Sequence, residues 1–486
     1  MEQQSIKRKT VLGFIWKFLE RILAQGISLI VSIVIARILD PSDYGVVAII
    51  TIFFNFANVL ISGGFNSALI QKKDSDGVDY FVILVVSLIL SVFIYFVLFF
   101  TAPIIAKAYD KEELVLIIRI MGLTLPITAV KSIWTAYISS KLLFRKFFFA
   151  TLGGTLFSGA VGIVLAIKGY GPWALIIQQM TNTIIDTIIL IATTRIKFIF
   201  RFSIQNFKSL FRYGWKVYLS SVISCVYSET VPLVIGIKYS SDDLSFYTKG
   251  RSFPNFLSSA ITNTMSSVLF PTLSKFQDDK ETLLRYTRRF INVASFLVFP
   301  VMLGFFSVSD TFVRVVLTEK WLPAVPYIRI FCIACMFDMI HIGNCETIKA
   351  MGKSGTYLVM EIIKKTGYFI IILLFTIFTD SPVYLAIAFI ACTFLAIIVN
   401  SIPNIRIINY SLKNQLIDIL PNLLIASIMC ACCFLIGFIK INTILLLFIQ
   451  ILSGVIIYLG LSFVTRNKAL RYLLELVKSN KNETAY

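Results

Sequence analysis

Charged residues are scarce in this sequence: they make up only 15% of 486 residues, whereas 57% are hydrophobic. A soluble protein of this length needs a far more charged surface, so the soluble class is excluded. The apolar runs recur along the whole chain instead of standing once near an end. We therefore predict an all-α polytopic membrane protein.

The short motifs of common enzymes are also absent. The sequence contains no Walker-type sequence, no phosphate-cradling glycine-rich loop and no nucleophile constellation. The predicted external loops are too short to carry the catalytic groups of a membrane-embedded polymerase or glycosyltransferase. We therefore expect a transporter that is not an enzyme, has no cofactor and is not driven by ATP bound to this chain.

The net charge of +19 raises the question of nucleic-acid binding. However, Lys and Arg gather in every second short loop between the apolar runs. These loops share one side of the membrane, as the positive-inside rule requires. We therefore expect no nucleic-acid partner, and we place both termini in the cytoplasm. The eight cysteines lie in apolar segments, so they predict no disulfide framework.

Fourteen segments are long and apolar enough to span a membrane, which takes about 20 residues. A basic and aromatic connection near residues 195–213 divides them into an N-terminal lobe (1–200) and a C-terminal lobe (201–405) of six helices each. Residues 406–486 add two helices and a cytoplasmic tail. The predicted helices cover residues 15–38, 44–66, 79–102, 114–137, 147–167, 172–194, 214–237, 253–274, 290–312, 326–346, 357–378, 382–403, 416–438 and 442–464.

Polar residues recur at helical spacing on several of these helices. Such residues are costly in lipid, so their spacing indicates a face turned toward protein or water. Helix–helix hydrogen bonding would explain one such stripe, but stripes on the first, second, seventh and eighth predicted helices favour a shared hydrated cavity. The candidate substrate-binding residues of these stripes are Arg21, Gln25, Asn55, Asn58, Arg251, Asn255 and Asn263.

Ionisable residues also enter the predicted spans. Arg119 and Lys131 flank Pro126, which predicts a kink, and they join the candidate substrate-binding set because cations suit an anionic ligand. Snorkelling to an interface is the alternative for Lys131. Four further residues are candidates for H⁺ or Na⁺ coupling, or alternatively for pairing with the basic residues: Asp186, Glu229, Asp338 and His341. Asp338, His341 and Cys345 share a helical face, but three ligands on one helix do not predict a metal site.

Several short segments resemble a known family, the Wzx-type polysaccharide flippases of the multidrug/oligosaccharidyl-lipid/polysaccharide exporter superfamily. The most specific segment is IARILDPSDYG at residues 35–45, followed by GGFNSALIQK at 63–72. GYGPWAL at 169–175 and FPTLS at 270–274 also look like that family.

The resemblance implies a V-shaped, two-lobe fold of the kind found in multidrug exporters, with the four helices that carry polar stripes lining a central cavity. It implies an undecaprenyl-diphosphate-linked oligosaccharide as substrate, flipped outward for O-antigen, capsule, exopolysaccharide or teichuronic acid synthesis. The other partners that we expect are membrane lipid, a polysaccharide polymerase and glycosyltransferases. By position only, the cationic role falls on Arg21, Arg119, Lys131 and Arg251. A lipid II flippase and a multidrug or cation antiporter of the same superfamily stay open as alternatives.

Overall fold

The computed structural model describes residues 23–72, 75–141, 143–277 and 279–483, and within these ranges every regular element is helical. The chain divides into two compact units, residues 1–245 and 246–486. Helix α10, Ser241–Ser274, begins in the first unit and continues into the second. The predicted lobes, divided at residues 200 and 405, were defined by the order of the helices and not by contacts. They stay a prediction.

The first unit contains the helices before α10. They are α1 (Leu23–Ile38), α2 (Pro41–Ser62), α3 (Phe65–Gln71), α4 (Gly77–Ala108), α5 (Glu113–Gly122), α6 (Thr124–Ser140), α7 (Phe144–Ile167), α8 (Pro172–Thr193) and α9 (Ile204–Lys238).

The second unit contains the helices after α10. They are α11 (Lys280–Phe312), α12 (Val325–Cys335), α13 (Asp338–Ala350), α14 (Ser354–Phe378), α15 (Pro382–Ile408), α16 (Leu412–Ile436), α17 (Thr443–Val464) and α18 (Lys468–Glu483). A π-helical turn (Val313–Leu317) and a 3₁₀ helix (Glu319–Ala324) connect α11 to α12.

The all-α polytopic class is confirmed, because eleven helical segments of the described chain are long and apolar enough to cross a membrane. Three predicted spans fall on helices outside that set. The described part of α1 is short, and α10 and α14 are more polar, α14 because of Glu361, Lys364 and Lys365. The total of fourteen spans therefore stays a prediction.

Side-chain caps and prolines explain where several helices begin. Asp40 and Asp43 form a capping box at the start of α2, with Pro41 in the first turn, where its missing N–H is tolerated. Asp76 and Asp79 form the same reciprocal cap on α4.

The predicted kink at Pro126 is found as a break between two helices. Pro126 has no N–H to donate to the carbonyl of Gly122, so α5 ends at Gly122 and α6 begins two residues later. Pro126 itself lies in the first turn of α6, where no such bond is needed.

The first unit is held together by close helix contacts at glycines. A Cβ built on Gly64 would lie 2.4 Å from the carbonyl oxygen of Gly214, so the α3 end approaches α9 closely. On α7, small residues pack against α8, and a Cβ on Gly162 would lie 3.0 Å from Gln178. Small residues at such contacts allow helix backbones to approach each other in membrane proteins.

Gly154 of α7 gives a prediction about this packing. A Cβ there would lie 2.2 Å from Asp186 Oδ1, so Gly154→Ala must displace the Asp186 carboxylate. We expect a loss of about 1–3 kcal/mol of stability, the usual cost of overpacking, seen as a lower melting temperature of the purified protein.

The matched control is Gly153→Ala on the same helix. Its added methyl group would meet only Ile189 Cδ1, the flexible tip of a side chain, at 2.8 Å. Equal melting temperatures for the two variants would contradict the close approach of α7 to α8 at Gly154.

In the second unit, α16 lies along α11 and is joined to it by polar contacts. Arg288 holds Asp418 through two bonds of 2.8 and 2.6 Å, and Asn292 donates to the carbonyl oxygen of Asp418 at 2.8 Å. One turn further on, Asn422 donates to Ser295 Oγ at 2.7 Å. The α16 helix is therefore an integral part of this unit's core.

Candidate functional site

Two predicted site residues of the first unit form an ion pair within the membrane-spanning part of the chain. Lys131 Nζ on α6 lies 2.7 Å from Asp186 Oδ2 on α8, and the Asp186 side chain is only 6% exposed. The sequence assigned Lys131 to substrate binding and Asp186 to ion coupling or pairing. Since each charge neutralises the other, neither group presents a net charge to a ligand in this arrangement.

A second intramembrane carboxylate of this unit, Glu229, also bonds to another predicted site residue. Glu229 Oε1 on α9 accepts a hydrogen bond from Asn55 Nδ2 on α2 at 3.0 Å. Ser228 Oγ lies 3.4 Å from the same oxygen. The structure thus brings a candidate substrate-binding amide and a candidate coupling carboxylate together, linking α2 to α9.

A cavity of about 240 Å³ lies within the first unit, between α2, α5, α6 and α8. Among its polar lining residues are Asn58, Thr124, Thr128, Gln179, Asn182 and Thr183.

Asn58 is the predicted site residue at this cavity, and its Oδ1 is buried without a hydrogen-bond partner among the described atoms. Lys131 and Asp186 lie one helical turn from Thr128 and Thr183, so the ion pair is adjacent to the cavity without lining it.

Arg119 faces away from this cavity. Its guanidinium lies 4.3 Å from the centre of the Phe99 ring on α4, and Nε lies 3.5 Å from the Phe99 carbonyl oxygen. On α1, Gln25 is exposed, and Arg21 lies outside the described residues. The substrate-binding roles of these three residues stay predictions.

In the second unit, α10 presents a polar row to α12 and α13. Arg251 lies 4.9 Å from the Phe389 ring centre and 5.8 Å from that of Phe331. No described carboxylate forms an ion pair with Arg251. Its guanidinium is therefore held by aromatic faces, which leaves its in-plane N–H groups available to an anion.

The rest of this row reaches the predicted carboxylate of α13. Asn255 Oδ1 accepts a bond from Cys335 Sγ at 3.1 Å, and Ser258 Oγ donates to Asp338 Oδ2 at 3.2 Å. The backbone of Asn263 lies on α10, but its side chain falls outside the described part of the structure. Arg251, Asn255 and Asp338 thus share one region of the second unit.

His341 lies on the same helix as Asp338 but has other neighbours. Its Nδ1 contacts Asn400 Nδ2 on α15 and lies 3.7 Å from Cys345 Sγ. Within the described ranges, no group of three His, Cys, Asp or Glu side chains is arranged to hold a metal ion. The coupling roles of Asp338 and His341 stay predictions.

Sequence reasoning missed a buried polar network in the second unit. The amides of Asn344, Asn404 and Gln415, from α13, α15 and α16, form a network with Ser401 through bonds of 2.7–3.3 Å. All four side chains are at most 1% exposed. Their separation along the chain left no periodic signal that could relate them.

A second missed group is the Asp79 carboxylate at the start of α4, which is fully buried. It accepts from Lys72 Nζ at 2.6 Å and from Asn206 Nδ2 at 2.9 Å, so it joins the end of α3 to the start of α9. The pattern Asp76-x-x-Asp79, a reciprocal cap, was the signal that could have indicated it.

We expect Asp79→Ala to destabilise the first unit strongly, because it leaves the Lys72 ammonium and the Asn206 amide without their shared acceptor. The Lys72 side chain is 35% exposed and can be hydrated, so the expected cost is that of leaving buried polar groups unsatisfied, about 1–3 kcal/mol. The level of protein in membranes and its melting temperature measure the effect. Asp76→Ala, which removes only an end cap worth about 1 kcal/mol, is the control. A smaller effect at Asp79 than at Asp76 would contradict this role.

Comparison with solved structures gives the class of fold. The chain is similar to the lipid II flippase MurJ in an inward closed conformation, with a TM-score of 0.74 and 17% identity over 94% of this chain and 98% of that one. At this identity the likeness establishes the fold alone: that of a multi-pass, all-α membrane protein.

Sequence comparisons give the family. A family model described as a polysaccharide biosynthesis protein matches residues 34–326. A membrane protein of the cps region of Klebsiella pneumoniae is 27% identical over 403 residues, or 80% of each chain. The succinoglycan biosynthesis transport protein ExoT of Rhizobium meliloti is 22% identical over 331 residues, covering 68% of this chain and 67% of that protein. Because the family model spans more than half of it, the chain belongs to the polysaccharide biosynthesis protein family.

Proposed function

We propose that this protein is a flippase that moves a polyprenyl-diphosphate-linked oligosaccharide across the bacterial cytoplasmic membrane for surface polysaccharide synthesis. It acts as a transporter by alternating access, with both termini in the cytoplasm, and is not an enzyme. The observation that carries the proposal is the family membership, together with a relative named as a succinoglycan transport protein.

The anionic head group suggests which described cation binds it. Lys131 is neutralised by Asp186, and Arg119 faces α4, where its Nε lies 3.5 Å from the Phe99 carbonyl oxygen. Arg251 has aromatic contacts and no described ion pair, and a guanidinium can bond a phosphate through two parallel N–H groups. We therefore assign the diphosphate to Arg251, with Asn255 next to it on the same face.

Coupling to H⁺ or Na⁺ forms part of this proposal. Glu229 and Asp338 are the best-placed carboxylates, because each accepts a hydrogen bond from a neutral partner, Asn55 or Ser258, and no described cation pairs with either. Such a carboxylate can bind and release a cation within one transport cycle.

A deletion strain tests the proposal. We expect the lipid-linked repeat unit to accumulate on the cytoplasmic leaflet while surface polysaccharide disappears, and we expect the intact chain to reverse both effects. Glycosyltransferases and a polymerase would supply and consume the repeat unit. Persistent surface polysaccharide with increased drug sensitivity would overturn the proposal in favour of an antiporter. Loss of cell-wall precursor export would favour a lipid II flippase.

A further inference from the structure

The cavity of the first unit is lined by uncharged side chains and takes no part in the proposed diphosphate site. Its volume of about 240 Å³ is below the range of about 300–1,000 Å³ typical of pockets for drug-sized ligands. At about 30 Å³ per water it would hold about eight waters, so it suits a ligand about the size of one sugar ring.

Charge restricts the class of ligand. None of the side chains that line this cavity is ionisable. The adjacent Lys131 and Asp186 form an ion pair with each other, at 2.7 Å, so this pair adds no net charge. The amide and hydroxyl oxygens could coordinate a cation, but no lining carboxylate would balance its charge, and without a lining cation an anion is poorly held. The lining therefore favours a neutral ligand.

The polar groups of the lining favour a ligand with many hydroxyl groups. Gln179 and Asn182 carry amides that donate and accept, and Thr128 adds a hydroxyl group. Asn58 contributes a buried oxygen without a described partner, which could accept a bond from a ligand hydroxyl. A hydroxyl group both donates and accepts, so it satisfies such a mixed lining better than a simple donor or acceptor does.

The remaining lining is apolar and comes from Phe54, Met121 and Met180. A sugar ring has hydroxyl groups around its edge and C–H groups on its faces, so it matches amides on one side and an aromatic ring with thioethers on the other.

We propose that this cavity is a subsite for one neutral sugar residue of the transported head group, an inference that rests on the proposed function. The first-unit cavity would then recognise one sugar of the glycan. Such a subsite would make transport depend on the identity of one sugar.

Ligand-observed NMR on the full-length protein in lipid nanodiscs tests this inference with free neutral monosaccharides: glucose, galactose, mannose and N-acetylglucosamine. We expect at least one of them to show saturation transfer. The test variant is Gln179→Met, which removes a lining amide at similar volume. Gln178→Met is the matched control, because the neighbouring Gln178 packs against Gly162 of α7 and does not line the cavity.

We expect sugar binding about tenfold weaker in Gln179→Met, which corresponds to about 1.4 kcal/mol, and unchanged binding in Gln178→Met. Thr128→Val, which keeps the side-chain shape, gives a second reading if Gln179→Met fails to fold. The inference is overturned if no sugar binds, if all variants bind equally, or if sodium binding rather than sugar binding is lost in Gln179→Met. Transport of the lipid-linked repeat unit is measured separately, so failure of the wild-type chain there would refute the proposed function while the NMR result still decides on the cavity.

Discussion

Replacement of Arg251 by alanine is expected to reduce transport of the lipid-linked repeat unit by about 100-fold, while the protein still inserts and folds. Hydrogen bonds to charged groups contribute about 1.5–3 kcal/mol each, and every 1.4 kcal/mol or so changes an equilibrium tenfold. Arg251 forms no ion pair with a described carboxylate, so its removal leaves no described carboxylate without a partner. The loss should therefore appear in transport rather than in stability.

Two further variants make this experiment specific. Arg251→Lys keeps the charge but not the planar fork, so we expect an intermediate loss of transport. Arg119→Ala also removes a guanidinium that lies on a phenylalanine ring, but this guanidinium faces α4. We therefore expect a smaller loss of transport than for Arg251→Ala. Transport is assayed in inverted membrane vesicles with protein levels matched by immunoblot. Equal transport in Arg251→Ala and the wild type would remove Arg251 from the diphosphate site.

Replacement of Asp186 by alanine is expected to have the largest effect on stability. It leaves Lys131 as an uncompensated charge next to α8, and breaking a buried ion pair from one side costs about 3–5 kcal/mol. That cost is a large part of the about 5–15 kcal/mol that stabilises a typical domain. We expect much less protein in the membrane and a melting temperature well below that of the wild type.

The double variant Lys131→Met with Asp186→Leu decides what the pair does. Removing both charges together is often neutral or stabilising, so we expect protein levels and melting temperature to recover. If the pair only stabilises the fold, transport recovers as well. If the folded double variant does not transport, at least one of the two groups has the role predicted for it: Lys131 in substrate binding or Asp186 in ion coupling. A double variant as unstable as Asp186→Ala would contradict the ion pair itself.

The fold class could be predicted from the sequence because membrane spans are defined by local apolar length. Breaks within spans were harder to place. Pro126 indicated the break between α5 and α6, because a proline removes the hydrogen bond to the carbonyl four residues earlier. The break between α12 and α13, at residues 336 and 337, contains neither proline nor glycine, so the predicted helix at 326–346 was drawn as continuous.

The sequence could nominate candidate site residues one helix at a time, but it could not pair them. Helical spacing identified Asn55 and Asn58 on α2, because periodicity is a property of one helix. The partner of Asn55 is Glu229, 174 residues away, and that of Lys131 is Asp186, 55 residues away. Such pairs depend on how helices pack, and no local pattern in the sequence specifies that packing.

The long contact between α16 and α11 has a consequence for the evolution of this protein. Arg288, Asn292 and Ser295 of α11 all use partners on α16, and Asn344 of α13 bonds to Gln415 near its start. A chain that lost its last two spans would leave Asn292, Ser295 and Asn344 without these partners inside the predicted spans, where each unsatisfied polar group costs several kcal/mol. The last two spans, α16 and α17, are therefore not a detachable module. A gene encoding only the first twelve predicted helices would need compensating apolar substitutions on α11 before its product could persist.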